Sequence, residues 1–116
     1  MSRPFNPIME KSFAFSLHII ELAEHLEGKK KFVISRQILK SGTSVGANIR
    51  EAQGAESRAD FQHKMKIAFK EGVETEYWLD LCDQSKNYPT TTNLKEELQE
   101  IMKLLSSIIS TSKKRN

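Results

Sequence analysis

One cysteine, three prolines, five glycines and 8% aromatic residues are all that this chain of 116 residues holds of the residue types that break or staple a fold. A single thiol closes no internal bridge, so a disulfide-framed scaffold is excluded, and Cys82, placed on an apolar stripe, reads as a small buried hydrophobe rather than a nucleophile. Low proline and glycine with 28% charged residues exclude collagen-like and low-complexity classes and leave the composition of a soluble helical protein. No apolar run approaches the ~20 residues that span a bilayer, and the opening Met-Ser-Arg-Pro-Phe-Asn-Pro lacks the apolar stretch of a secretory signal. The expectation is a cytoplasmic chain with no membrane contact. Strand-like alternation, internal repeats and low-complexity segments are also missing.

What is present is helical periodicity. From Met9 to Glu27, Phe15, Ile19, Leu22 and Leu26 recur at steps of four, three and four, widened by Phe13, Leu17 and Ile20, and Gly28 stands where a left-handed glycine would close the helix. From Phe32 to Ala52 the stripe is Ile38, Gly42, Val45, Ile49 and Ala52. Gly42 and Gly46 each cost about 1 kcal/mol against alanine in a helix interior, so keeping both implies close approach by a neighbouring backbone, or a break into two shorter helices. From Arg58 to Ser85, Phe61, Met65, Ala68, Gly72, Thr75, Leu79 and Cys82 hold a bundle-seam spacing, with Ser57 as cap and Asp60 completing an approximate capping box. Asn87-Tyr88-Pro89 ends that segment. The last runs from Asn93 to Ser110 on Leu94, Leu98, Ile101, Leu105 and Ile108, with fraying expected from Thr111 onward. Short connections favour antiparallel neighbours. The reading is a single all-α domain over residues 1–116, an antiparallel up-down-up-down four-helix bundle with an ordered core over about 8–110, burying roughly two-thirds of its unfolded surface.

Ser44, Asn48 and Glu51 form a polar line one position before Val45, Ile49 and Ala52, and Lys64, Glu71, Glu74 and Trp78 flank the next seam in the same manner. If Asn48, Glu51 and Glu71 are buried they must be tied together or to backbone, forming with Ser44 a structural polar network that sets helix register; the alternative is a solvated boundary.

Catalytic spacings fail in turn. A di-iron bundle needs Glu-x-x-His on two helices, and Asp60-Phe61-Gln62-His63 is one weak half-motif. His18 and His25 stand too far apart on one helix to share a metal and read as surface or boundary residues. Gly42 to Gly46 lacks the Gly-Lys-Ser/Thr ending of a phosphate loop. Glu71 and Glu74 have no nucleophile or oxyanion donor beside them. The chain therefore reads as non-enzymatic, with no catalytic residue, cofactor or metal expected.

The net charge of +3 is mild. Its clusters are the candidate nucleic-acid contacts: Lys29, Lys30, Lys31, Arg36, Lys40, Arg50 and Arg58, with Lys113-Lys114-Arg115 near the end. No aromatic-studded surface or glycine clamp for reading unpaired bases is visible, so phosphate contact is the expected mode.

Ser44-Val45-Gly46-Ala47-Asn48-Ile49-Arg50-Glu51-Ala52, then Ser57-x-x-Asp60-Phe61, then Lys70-Glu71-x-x-Glu74-x-Glu76-Tyr77-Trp78-Leu79 resemble the bacterial four-helix-bundle family of proteins encoded by intervening sequences in large-subunit ribosomal RNA genes. The similarity runs from about Phe13 to Ile108. Ala52 departs from relatives in which glycine follows the glutamate. The resemblance implies an up-down bundle assembling as a pentameric homo-oligomer, in which Asn48, Glu51 and Glu71 serve packing or assembly. It also implies likeness to the accessory protein of diversity-generating retroelements, which binds RNA or DNA and a reverse transcriptase. Two functions are thus expected: a self-associating scaffold binding structured RNA through its basic clusters, or a module docking a protein such as a polymerase through Trp78 and Tyr77 without nucleic acid.

Overall fold

Pro7 opens the first helix because its missing amide is one that a first turn leaves unused, while the Asn6 side chain accepts from the Met9 amide at 3.4 Å. The computed structural model describes residues 6–114, and Arg115 of the terminal basic cluster lies outside the described residues. Four helices follow in order: α1 (Pro7–Gly28), α2 (Phe32–Ala52), α3 (Arg58–Gln84) and α4 (Thr92–Lys114). There is no strand among the described residues. Each helix lies between two neighbours, α1 against α2 and α4, and α3 against α2 and α4. The result is the expected all-α four-helix bundle, 48 Å long.

The apolar stripes meet in one core: Phe15, Ile19, Leu26, Ile38, Val45, Ile49, Met65, Leu79, Leu98, Ile101 and Leu105 are all buried. Burying each large side chain contributes about 1.5–3 kcal/mol, so the seam dominates stability.

α2 is unbroken through both glycines, so the two-helix alternative is not adopted. Its small residues admit α1. A Cβ added at Gly42 would stand 2.8 Å from Ile19 Cγ2 and 2.9 Å from Ile19 Cγ1, and one at Gly46 would stand 3.3 Å from the Ser12 carbonyl oxygen and 3.1 Å from Ser16 Oγ. The expected backbone approach therefore occurs at Gly46, whereas Gly42 accommodates a side chain. Gly72 on α3 is likewise covered by Met102 of α4.

Local structure departs from the sequence reading at two places, the closure of α1 and the end of α4. α1 closes with Lys30, not glycine, in the left-handed region at φ 64°; the Lys31 amide reaches back to the Leu26 carbonyl and the Lys30 amide to Glu27, a Schellman closure built around a lysine. Asn87 at φ 66° plays the corresponding part after α3, where an asparagine is better tolerated. α4 continues to Lys114, a turn past the expected end at Ser110.

Buried hydroxyls and one acid link the helices. Ser35 Oγ donates to the Ala23 carbonyl at 2.6 Å, joining α2 to α1, and Thr75 Oγ1 lies 3.0 Å from Ser41 Oγ, joining α3 to α2. At the α3–α4 connection the Asp83 carboxylate accepts from the Thr91 amide at 2.6 Å and the Thr91 hydroxyl at 2.9 Å, and pairs with Lys95 at 3.1 Å. Burial alone would raise the Asp83 carboxyl, but these donors together outweigh it and hold the group below its ordinary range.

Two predictions follow from this packing. Gly42→Ala should cost about 1–3 kcal/mol, because β-branched Ile19 is sealed in the core, whereas Gly72→Ala should fall within about 1 kcal/mol of neutral, because flexible Met102 can swing aside; urea denaturation of both variants measures the difference. Since the Asp83 carboxyl titrates lower when folded, its contribution is complete above the unfolded value of about 3.9 and is lost as pH falls through the folded one. Asp83→Asn should accordingly cost about 1 kcal/mol near neutral pH and flatten the acid limb of the stability–pH curve, as read by thermal melts from acid to neutral pH.

Candidate nucleic-acid interface

Helix direction decides which basic residues can act together. Lys29, Lys30 and Lys31 occupy the α1–α2 turn, and Arg36 and Lys40, one turn apart and both exposed, continue from it along α2. Arg50 lies near the other end of α2, about 15 Å beyond Lys40 along the axis, and Arg58 begins α3 across the α2–α3 turn. The seven candidates therefore form two groups, five at one end of the bundle and two at the other. They do not form one patch.

Two members are also engaged with rings. Lys31 Nζ sits 4.8 Å from the centre of the Tyr88 ring, tying the α1–α2 turn to the α3–α4 connection. The Arg50 guanidinium stands 5.6 Å from the Phe13 ring centre. That contact places Arg50 at the rim of an exposed apolar strip, where Phe13, Leu17 and Ile20 of α1 run beside Thr43 and Ala47 of α2 over a hollow of about 370 Å³. Phe13 and Leu17 are 53% and 48% exposed, a large apolar area to leave facing water. Leu39, one turn before Thr43, extends the strip toward Arg36.

The polar line along α2 is tied to its own backbone and meets α3 through one ion pair. Ser44 Oγ donates to the Lys40 carbonyl at 2.7 Å and Asn48 Nδ2 to the Ser44 carbonyl at 2.9 Å, both within α2. Glu51 is exposed and pairs with Lys64 at 3.1 Å, while Glu71 contributes its backbone carbonyl, to Thr75, at 2.8 Å. Lying one position off the seam, Ser44, Asn48 and Glu71 are half-buried and Glu51 is exposed. Two polar contacts cross from α2 to α3: the Glu51–Lys64 pair at the surface, and Ser41 with Thr75, both fully buried. The signal of the buried pair was a serine beside Gly42 and a threonine on the seam itself.

Other reactive groups are similarly occupied. His18 Nδ1 lies 2.8 Å from Glu97 Oε1, an exposed α1–α4 contact. Trp78 Nε1 donates to Glu74 at 3.1 Å, so Glu74 braces an indole, and Trp78 packs partly against the core while Tyr77 is 58% exposed. Burial, with the neighbouring Asp83 charge, pushes the Cys82 thiol up to about 11, which leaves it protonated and unreactive near neutral pH. Among the described residues no three His, Cys, Asp or Glu side chains converge as a metal site, and no helix is long and apolar enough to cross a membrane.

Comparison with known proteins agrees with this architecture. The family model described as 23S rRNA-intervening sequence protein matches residues 6–107. A crystal structure of a protein of unknown function from the S23 ribosomal protein family of Bacteroides thetaiotaomicron is 48% identical, covers 88% of this chain and 97% of its own, and superposes with a TM-score of 0.84. No curated protein matches. With a bundle of the same helices and a family match across nearly its whole length, the chain belongs to the 23S rRNA-intervening sequence protein family.

Proposed function

We propose that copies of this chain assemble, five in the arrangement that the resemblance implies, into a non-catalytic cytoplasmic scaffold that holds structured RNA through phosphate contacts. The observation that carries self-association is the α1–α2 apolar strip: Phe13, Leu17 and Ile20 stand in water beside Thr43 and Ala47, with Arg50 at the rim. Apolar centres with arginine at the edge are the composition of protein interfaces. A closed ring requires this strip to meet a different surface of the next copy.

Assembly changes what a mild charge can do. The cluster at the α1–α2 turn offers each copy about two phosphate contacts, and five copies would supply about ten, enough for tight, salt-sensitive binding without base recognition. The second reading, a module docking a polymerase-like protein without nucleic acid, is favoured by exposed Tyr77, since tyrosine is a common interface anchor. Salt separates the two, because phosphate contacts weaken steeply with ionic strength and an apolar contact does not.

Wild-type protein should therefore sediment well above the 13.3 kDa of one chain, and Leu17→Glu should return it to that mass without loss of helicity. A wild-type protein of single-chain mass would sink the proposal. A labelled structured RNA should bind the assembly with a log–log salt slope steeper than about −5, and the dispersed Leu17→Glu chain with a much shallower one.

A further inference from the structure

Charge is distributed very unevenly along the α3–α4 pair. Between Phe61 and Lys70, and again from Ile101 to Asn116, there is no Asp or Glu, yet these two stretches hold seven of the eighteen Lys and Arg residues. The rest of the chain carries eleven cations against fifteen acids, so the overall +3 conceals a basic end on an otherwise acidic molecule. Because α3 and α4 are antiparallel neighbours, folding lays Phe61–Lys70 beside the part of α4 that runs from Ile101 to Lys114, at the end of the bundle away from the α1–α2 turn.

A groove of about 440 Å³ runs between them. Lys66 and Lys70 of α3 and Lys113 of α4 line it, all three exposed, with the Ser106 and Ser110 hydroxyls along its α4 wall. Phe69, partly buried against the core, supplies apolar surface between the lysines. Lys66 and Lys70 are one turn apart, about 6 Å along the axis. Among the described residues, none of the three lysines has an ion-pair partner.

The acidic half of the same helix pair is in the opposite condition. Asp80 and Asp83 hold Lys95, Glu97 holds His18, Glu100 holds Lys11 and Glu74 holds Trp78. These acids are engaged within the chain, whereas Lys66, Lys70 and Lys113 face outward as a cluster of one sign that suits a polyanion.

We infer that the α3–α4 groove, through Lys66, Lys70 and Lys113, is a binding site for the phosphate backbone of RNA. This rests on the RNA-scaffold reading and deepens it, because the contacts lie at the opposite end from Lys29, Lys30 and Lys31 and on a different face from the self-association strip. It adds to each copy a site whose lining holds three lysines and no carboxylate.

The test measures binding of a labelled RNA hairpin across a salt series. Lys66→Gln/Lys70→Gln/Lys113→Gln, which changes only exposed helix positions, should keep wild-type helicity and mass, lose about tenfold or more in affinity near 0.15 M salt, and lower the magnitude of the salt slope by about two or more. The charge-retaining Lys66→Arg/Lys70→Arg/Lys113→Arg protein should keep the wild-type slope. Unchanged binding in the glutamine triple, while Lys29→Gln/Lys30→Gln/Lys40→Gln weakens it, overturns the groove and leaves the RNA reading intact. Wild-type protein that ignores the hairpin even at ~0.05 M salt overturns both. Competition by polyglutamate of equal charge as strong as by unlabelled RNA overturns the groove as a nucleic-acid site and assigns it to an acidic protein.

Discussion

The distance between α1 and α2 governs this molecule. Gly42 accepts Ile19, and Gly46 faces the Ser12 carbonyl and the Ser16 hydroxyl, so the two helices close on small residues where larger ones would hold them apart. Packing at that range fixes register as well as spacing, because a shift along the axis would bring a side chain onto Ile19 or the Ser12 backbone. The outward faces inherit the same alignment. Phe13 meets Arg50, and Leu17 and Ile20 run beside Thr43 and Ala47, because the inward faces leave them no other register. A surface strip is thus a consequence of a core contact.

Much of the fold was legible because the seam residues repeat with the period of a helix over long stretches. The bounds of α2 followed from its stripe and connecting residues, and the start of α3 from its Ser57 cap. Three things were harder. Lys30 takes the turn after α1 because the Schellman closure is counted from the Leu26 carbonyl, the last core position, and that count falls two residues beyond Gly28. α4 outlasts its stripe because the ends of helices carry little packing information. The polar network was placed on Ser44, Asn48, Glu51 and Glu71, where an i−4 carbonyl or a neighbouring lysine is within reach, while the buried interhelical pair stood at Ser41 and Thr75 on the seam.

The candidate interface was less legible than the fold, for a reason of geometry. A linear sequence shows Lys29 to Lys31 as a run, but it does not show that Phe61–Lys70 and the last part of α4 are neighbours. Each is weakly basic alone. Only antiparallel pairing adds them and brings Lys66, Lys70 and Lys113 to one groove. The faces divide the work: an apolar strip on α1 and α2, a basic turn at one end, and a basic groove between α3 and α4 at the other.

Because the seating of Ile19 against Gly42 sets the α1–α2 register, a double-mutant cycle between Ile19 and Gly42 probes it most directly. Stability would be measured by urea unfolding for the wild type, Gly42→Ala, Ile19→Ala and the double variant. If the added methyl is destabilising because it meets Ile19, then removing Ile19 should relieve it, and the two changes together should cost at least about 1 kcal/mol less than their sum. Additive costs would show that the helices do not meet there as described, and the alignment of the strip would lose its cause.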